Sequence, residues 1–301
     1  MLTVESISDL HELLGYNKPK HPLITAMNFE NANPSETMFN TDVMLNFYVI
    51  SLKSGTQCDF KYGRKNYDFR EGSLVFIAPG QIMISEGNYT PEYSDGWMLC
   101  VHPDMIRGTT LWSKISEYSF FEYEVNEALQ LSEQERETIE RIVKNIEDEY
   151  SKNIDLYTKE LVVSNLELLL NYAKRFYGRQ FITRTVVYKD AVTKFEELLN
   201  EQCTVDIIER SGTPSVKGLA QAMGYSPNYL SDMLKKETGR TAQDFIKSRV
   251  LELAENLLLT TKEPIHQIAE KLGFEQPSSF TKFIKTHLGL SPMDFRRQHL
   301  V

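Results

Sequence analysis

The spacing of apolar residues changes twice along this chain. Between Pro22 and Val101 they fall in short runs: NFYVISL (46–52), QCDFKY (57–62), NYDFR (66–70), SLVFIA (73–78) and WMLCV (97–101). These runs are rich in β-branched and aromatic residues, and Gly55, Gly63, Gly72, Pro79-Gly80 and Gly87 separate them at turn spacing. Short strands so punctuated predict a sandwich or jelly roll. From Ser132 the period becomes helical. Ser132 and Glu135 form a capping-box pair, and Ile139, Ile142, Val143 and Ile146 make a stripe behind it. A second helix is predicted over Asp155–Phe176, with an apolar arc wider than a one-sided surface helix needs. Arg175, Arg179 and Arg184 lead into RQFITRTV, which reads as a linker, and a further helix is expected near Tyr188–Asn200.

The last 90 or so residues hold an internal repeat. Val216, Leu219, Ala220, Met223, Gly224 and Tyr225 match Ile265, Ile268, Ala269, Leu272, Gly273 and Phe274 at a constant offset. After one inserted residue, Leu230, Met233, Leu234, Lys235, Gly239, Thr241 and Phe245 match Phe280, Phe283, Ile284, Lys285, Gly289, Ser291 and Phe295. Each copy puts apolar residues at i, i+3, i+4 and i+7, then a glycine suited to a tight helix exit. Ser226 can then cap a second helix whose first position suits Pro227. Leu230, Met233 and Leu234 form that helix's buried face, and small Ala220 lets the pair approach closely. In the second copy the helix opens near Pro277 and buries Phe280, Phe283 and Ile284. Helix, glycine turn, helix is the helix-turn-helix pattern, used here twice. Thr241 and Asp244 resemble a capping pair for a connecting helix over Ala242–Leu259, and Ser291-Pro292 opens a last short helix. A helical solenoid would need three or more copies.

Composition adds one refinement. The 301 residues suit about two domains, and net charge is −9. From Thr213 onward, however, 12 basic residues face 9 acidic ones, so the acidity belongs to the rest of the chain. Such a split suits a chain in which one part meets phosphate. Cys58, Cys100 and Cys203 are dispersed and odd in number, which argues against a disulfide framework or a cysteine zinc site and fits a reducing cytoplasm. Neither a membrane-spanning run nor a signal peptide is expected.

GYSPNYLSDMLKKETG and IAEKLGFEQPSSFTKFIKTHLGLSPMDFRR strongly resemble the AraC/XylS family of bacterial transcription regulators. The resemblance covers about 100 residues, from near Val216 to Arg297. It implies a seven-helix domain whose two recognition helices enter successive major-groove segments. The candidate DNA-binding residues are Ser226, Asn228, Tyr229, Ser231, Asp232 and Lys235 in the first unit, and Gln276, Ser278, Ser279, Thr281, Lys282 and Lys285 in the second. By the family pattern Asn228, Ser231 and Asp232 point towards bases, as do Ser278 and Lys282. Asparagine can pair with adenine, a carboxylate can accept from cytosine N4, and Lys282 could donate to guanine O6 and N7. Asp232 departs from the family, where a basic or amide residue is frequent, and could tolerate the duplex rather than read it. Lys235 and Lys285 suit phosphate or solvent, and recognition-helix N-termini supply amides to phosphate.

GSLVFIAPGQ followed by GWMLCVHPDMI resembles, more loosely, the cupin-like sensing domain of many family members. Candidate effector-pocket residues inside its barrel are Tyr48, Phe60, Tyr62, Phe76, Met83 and Trp97, each of which could equally be core. A cupin enzyme fused to a DNA-binding module is the alternative. His11, His21 and His102 are isolated and no H-x-H pair exists, so neither a metal nor another cofactor is expected. The resemblance also suggests dimerisation through the helix pair, with Leu161, Asn165, Leu168, Leu169 and Tyr172 as candidates.

The expected chain is thus an α+β multidomain protein: a cupin-like β-barrel or jelly roll (1–130), a helical pair and linker (131–183), and an all-α double helix-turn-helix domain (184–301). The expected function is that of an effector-responsive, non-enzymatic transcription activator, with double-stranded DNA, RNA polymerase, a small-molecule effector and a second copy as partners.

Overall fold

The computed structural model describes residues 1–32, 41–53, 72–83, 96–124, 127–152, 154–183 and 185–299. The chain divides into two units, Met1–Gln180 and Phe181–Val301.

Unit 1 contains the strands β1 (Leu2–Val4), β2 (Ile24–Asn28), β3 (Val43–Leu45), β4 (Tyr48–Lys53), β5 (Ser73–Ile77), β6 (Ile82–Met83), β7 (Gly96–Val101) and β8 (Leu129–Gln130). They form a five-stranded sheet in the order β2-β7-β4-β5-β8 and a three-stranded sheet in the order β1-β3-β6. No closed barrel forms among the described residues. The runs predicted at 46–52, 73–78 and 97–101 are β4, β5 and β7; those at 57–62 and 66–70 lie outside the described residues.

The register sorts side chains onto two faces. Val49 pairs with Cys100 and Ile77, whereas its neighbour Ile50 pairs with Leu99 and Phe76. Since alternate residues of a strand point to opposite faces, Val49, Ile77 and Cys100 share one face, and Ile50, Phe76 and Leu99 the other. The first face closes with Val4, Val43, Leu45 and Phe47 and with Ile7 and Leu10 of helix α1 (Ile7–Leu13) into one apolar core. The second carries helices. Tyr48 meets Phe121 edge-on at 5.1 Å between ring centroids, and Phe76 lies 4.4 Å from Phe120 and 6.3 Å from Tyr177. Trp97 pairs with Leu52 on that same face.

After α2 (Pro103–Ile106) and α3 (Thr110–Lys114) come the long helices α4 (Glu133–Ser151) and α5 (Thr158–Thr183). The Ser132–Glu135 capping box opens α4 as expected. Arg179 on α5 reaches back to it, bonding Glu135 Oε2 at 2.6 Å and the Gln130 carbonyl at 2.7 Å. The segment expected to be a linker is helical instead: α5 runs to Thr183 and α6 spans Thr185–Gln202. The physical reason lies in its apolar anchors, since Phe176, Tyr177 and Phe181 are buried and hold the last turns of α5 in packed surroundings. His102 accepts from the Asp104 amide as the N-cap of α2, which gives this isolated histidine a structural task. Burial pushes the Cys100 thiol well above the ordinary range and raises that of Cys203, so neither is poised as a nucleophile.

Unit 2 continues with α7 (Val205–Ser211), α8 (Val216–Met223), α9 (Pro227–Thr238), α10 (Ala242–Thr260), α11 (Ile265–Lys271), α12 (Pro277–Leu288) and α13 (Pro292–His299).

Candidate nucleic-acid interface

Each repeat builds a helix pair by the same local chemistry. Ser215 caps α8 by accepting from the Gly218 amide. Gly224 ends it in the left-handed region at φ 76°, a conformation that costs a residue with a Cβ about 1–2 kcal/mol. The chain then folds back, and the Tyr225 amide reaches the Ala220 carbonyl at 2.9 Å. In the second copy Gly273 has φ 76° and the Phe274 amide reaches the Ala269 carbonyl at 2.9 Å. The turns are therefore superposable in hydrogen bonding as well as in sequence. Ala220 and Ala269 are both fully buried, so small side chains set the close helix approach in both pairs.

The second helix of each pair buries one face and presents the other. On α9, Leu230, Met233 and Leu234 have no exposed area; on α12, Phe280 and Ile284 have none. The capping box of Thr241 and Asp244 starts α10 as expected. Hydrogen bonds from the Thr241 hydroxyl and amide hold the Asp244 carboxyl below the usual carboxylate range. At the far end, Arg296 of α13 donates from Nε to the Leu258 carbonyl at 3.1 Å, closing the last turn of α10.

The candidate residues separate into three groups. Lys235, Gln276, Ser278, Ser279, Lys282 and Lys285 are exposed. Asn228, Ser231, Asp232 and Thr281 are half-buried. Ser231 Oγ accepts from the Ala242 amide at 3.4 Å, and Thr281 donates back to the Pro277 carbonyl at 2.9 Å.

Ser226 and Tyr229 are buried, each 3% exposed. Ser226 is the N-cap, accepting from the Tyr229 amide at 3.2 Å. Tyr229, expected on the outer face, is a core residue. Its ring lies 5.2 Å from that of Phe181 and 5.5 Å from that of Tyr225. The partner that draws it inward, Phe181, comes from the segment read as a linker.

The two helix starts differ. α9 has its serine cap, whereas Gln276 makes no side-chain cap to α12.

In unit 1 the candidates for an effector pocket separate as well. Tyr48, Phe76 and Trp97 lie on the helix-bearing face of the five-stranded sheet, not between the sheets. That corrects their expected position: both faces of these strands are apolar, so the side-chain pattern alone did not mark the inner one. Phe60 and Tyr62 lie outside the described residues, and Met83 ends β6. Of the dimerisation candidates on α5, Leu161 and Leu168 are exposed at 46% and 45%, Asn165 and Tyr172 are half-buried, and Leu169 is fully buried. Leu169 is thus core, because the helix turns it towards its own unit. Among the described residues no three His, Cys, Asp or Glu side chains cluster as a metal site, and no helix is long and apolar enough to cross a membrane.

Comparison with known proteins bears on this arrangement. A family model described as a helix-turn-helix domain matches residues 219–298. The chain is 35% identical over 82 residues to YobQ of Bacillus subtilis, an uncharacterized HTH-type transcriptional regulator; the match covers 27% of this chain and 34% of that protein. It is 31% identical over 86 residues to the multiple antibiotic resistance protein MarA of Escherichia coli, covering 29% of this chain and 68% of MarA. Among solved structures, the C-terminal domain of the two-component response regulator yesN from Fusobacterium nucleatum is 28% identical, with a TM-score of 0.31, covering 36% of this chain and 98% of that one. The chain therefore spans only about a third of the length of YobQ.

Proposed function

Because this chain belongs to the AraC/XylS family of transcription regulators, we propose that it binds specific duplex DNA through α9 and α12 and acts as an effector-responsive activator. The observation that carries this reading is the duplicated helix pair, which presents two second helices with polar outer faces. An α-helix fits the major groove, and there each base pair shows a distinct set of donors and acceptors. In this reading Asn228, Ser231, Ser278 and Lys282 face bases, Asp232 lies on the same face without reading one, and Lys235 and Lys285 face phosphates. At the N-terminus of α12, where Gln276 makes no side-chain cap, the Ser278 amide would meet phosphate.

Unit 1 supplies sensing and pairing. Its two sheets, folded as a cupin-like domain over residues 1–130, would take a small molecule. Tyr48, Phe76 and Trp97 are not assigned to that site, since the aromatic core already occupies the face that bears them. The helical pair (131–183) joins two copies of the chain through the exposed Leu161 and Leu168, with Asn165 and Tyr172 beside them. Residues 184–301 read DNA and bring in RNA polymerase, and the protein works in the cytoplasm.

Selection of bound sequences from random duplexes by the full-length protein tests the reading. Two short motifs about 10 bp apart, one helical turn, are expected. A repeated bipartite site would mark a dimer. Absence of any sequence preference, with and without cell metabolites added, would overturn the assignment of α9 and α12 as reading helices.

A further inference from the structure

The two recognition helices are equivalent in fold but not in charge, and this inference rests on their proposed role in DNA binding. Aligned by the repeat, Asn228 corresponds to Ser278, Ser231 to Thr281, Asp232 to Lys282 and Lys235 to Lys285. One position thus carries a carboxylate in the first helix and an ammonium in the second. Over its length α9 carries Asp232, Lys235, Lys236 and Glu237 and sums to zero. α12 carries Lys282 and Lys285 and no acidic residue.

Exposure follows this division at two of the aligned positions, Asn228/Ser278 and Asp232/Lys282. Ser278, Lys282 and Lys285 are exposed on α12, and among the described residues neither lysine has an ion-pair partner. On α9 the corresponding Asn228 and Asp232 are half-buried, while Lys235 is exposed like its counterpart Lys285, and Ser231 is half-buried like its counterpart Thr281. Ser231 holds the Ala242 amide, and Asn228 and Asp232 each interact within the chain. Electrostatic affinity for DNA comes from cations that displace condensed counterions from phosphate, while a carboxylate near the backbone is repelled by it.

We infer that the two helices contribute unequally: α12 supplies the larger electrostatic attraction to the duplex, and α9 adds base recognition with little net attraction of its own. Asp232 then acts as a brake on sequence-independent binding, and its cost in affinity falls on all duplexes alike. The bipartite site is accordingly held at one end and tested at the other.

Salt dependence of binding by the full-length protein decides this. Affinity is measured on the selected duplex and on an unrelated duplex between about 50 and 200 mM salt. Lys282→Gln and Lys285→Gln should each lower the slope of log K against log salt by about 0.9, the value for one released counterion. Lys235→Gln and Lys236→Gln should lower it by less, because Asp232 and Glu237 offset their charge within α9. Asp232→Asn should tighten binding to both duplexes. Equal slopes for the α9 and α12 lysine variants would overturn the inference. So would weaker binding of Asp232→Asn to the selected duplex alone, which would make Asp232 a reader of one base. Melting curves identify any variant that has lost its fold, and the α12 lysines, both exposed, suffice for the comparison with Lys235. A wild-type protein without sequence preference would count against the proposed function, yet slopes on the unrelated duplex would still decide between equal and unequal helices.

Discussion

Phe181 and Tyr229 pack with ring centroids 5.2 Å apart at 58°, one from the end of α5 and one from the first turn of α9. Tyr229 thereby serves as an anchor of the helix whose outer face is proposed to read DNA. Tyr229→Ala should cost about 3–5 kcal/mol, the range for deleting a buried aromatic. Tyr229→Phe should destabilise far less than Tyr229→Ala and keep the base preferences of the wild type. Loss of preference at one base position in Tyr229→Phe, with stability intact, would return Tyr229 to the reading face.

Gly273 makes a second structural test. It sits at φ 76°, and a Cβ there would stand 3.2 Å from Thr213 Oγ1 and 3.3 Å from Ile208 Cγ2. Gly273→Ala should therefore destabilise unit 2 by more than the roughly 1–2 kcal/mol of the left-handed conformation alone, as read by thermal unfolding. A neutral effect would mean that the α11–α12 turn relaxes at little cost.

Lys282 separates base reading from backbone attraction. If it donates to guanine, Lys282→Ala should relax preference at one base pair and lose about 1–3 kcal/mol on the selected site. Competition binding across single-base variants of that site measures it. A uniform loss over all sequences would place the ammonium on phosphate.

On α5, consecutive leucines have opposite fates. Leu168 is 45% exposed and Leu169 fully buried. Leu161→Glu with Leu168→Glu should leave melting unchanged and convert a dimer to monomer in sedimentation equilibrium. Leu169→Asp should unfold unit 1, because an unpaired buried carboxylate is costly. A double variant that keeps the wild-type mass would remove α5 from the dimer interface.

The α10 cap gives a pH signature. Hydrogen bonding to Thr241 depresses the Asp244 carboxyl in the folded protein, so it binds its proton later than in the unfolded chain. The associated stability is complete above the ordinary carboxylate pKa of about 4 and is lost as pH falls below it. The melting temperatures of wild type and Asp244→Asn should accordingly differ near neutrality and converge in acid. A constant gap would assign the effect to packing.

The duplicated helix pairs were legible from the sequence, because everything that makes them is local. Caps at Ser226, Thr241 and Ser132, glycines at 224 and 273 and an i, i+3, i+4 stripe act within a few residues. The strands β4, β5 and β7 were legible for the same reason. Which way their side chains point was not. Where both faces of a sheet are covered, apolar residues no longer alternate with polar ones, and the pattern loses its phase. Only the pairing of Val49 with Cys100 and of Ile50 with Leu99 assigned Tyr48, Phe76 and Trp97 to the helix side. Tyr229 and Leu169 failed a periodicity argument likewise, since burial depends on which distant surface arrives. Phe181 came to Tyr229 because α5 continues as a packed helix through a stretch whose composition resembles a linker. Local spacing determined the helices and their order, and contacts between residues far apart in the chain decided which of their faces are left to act.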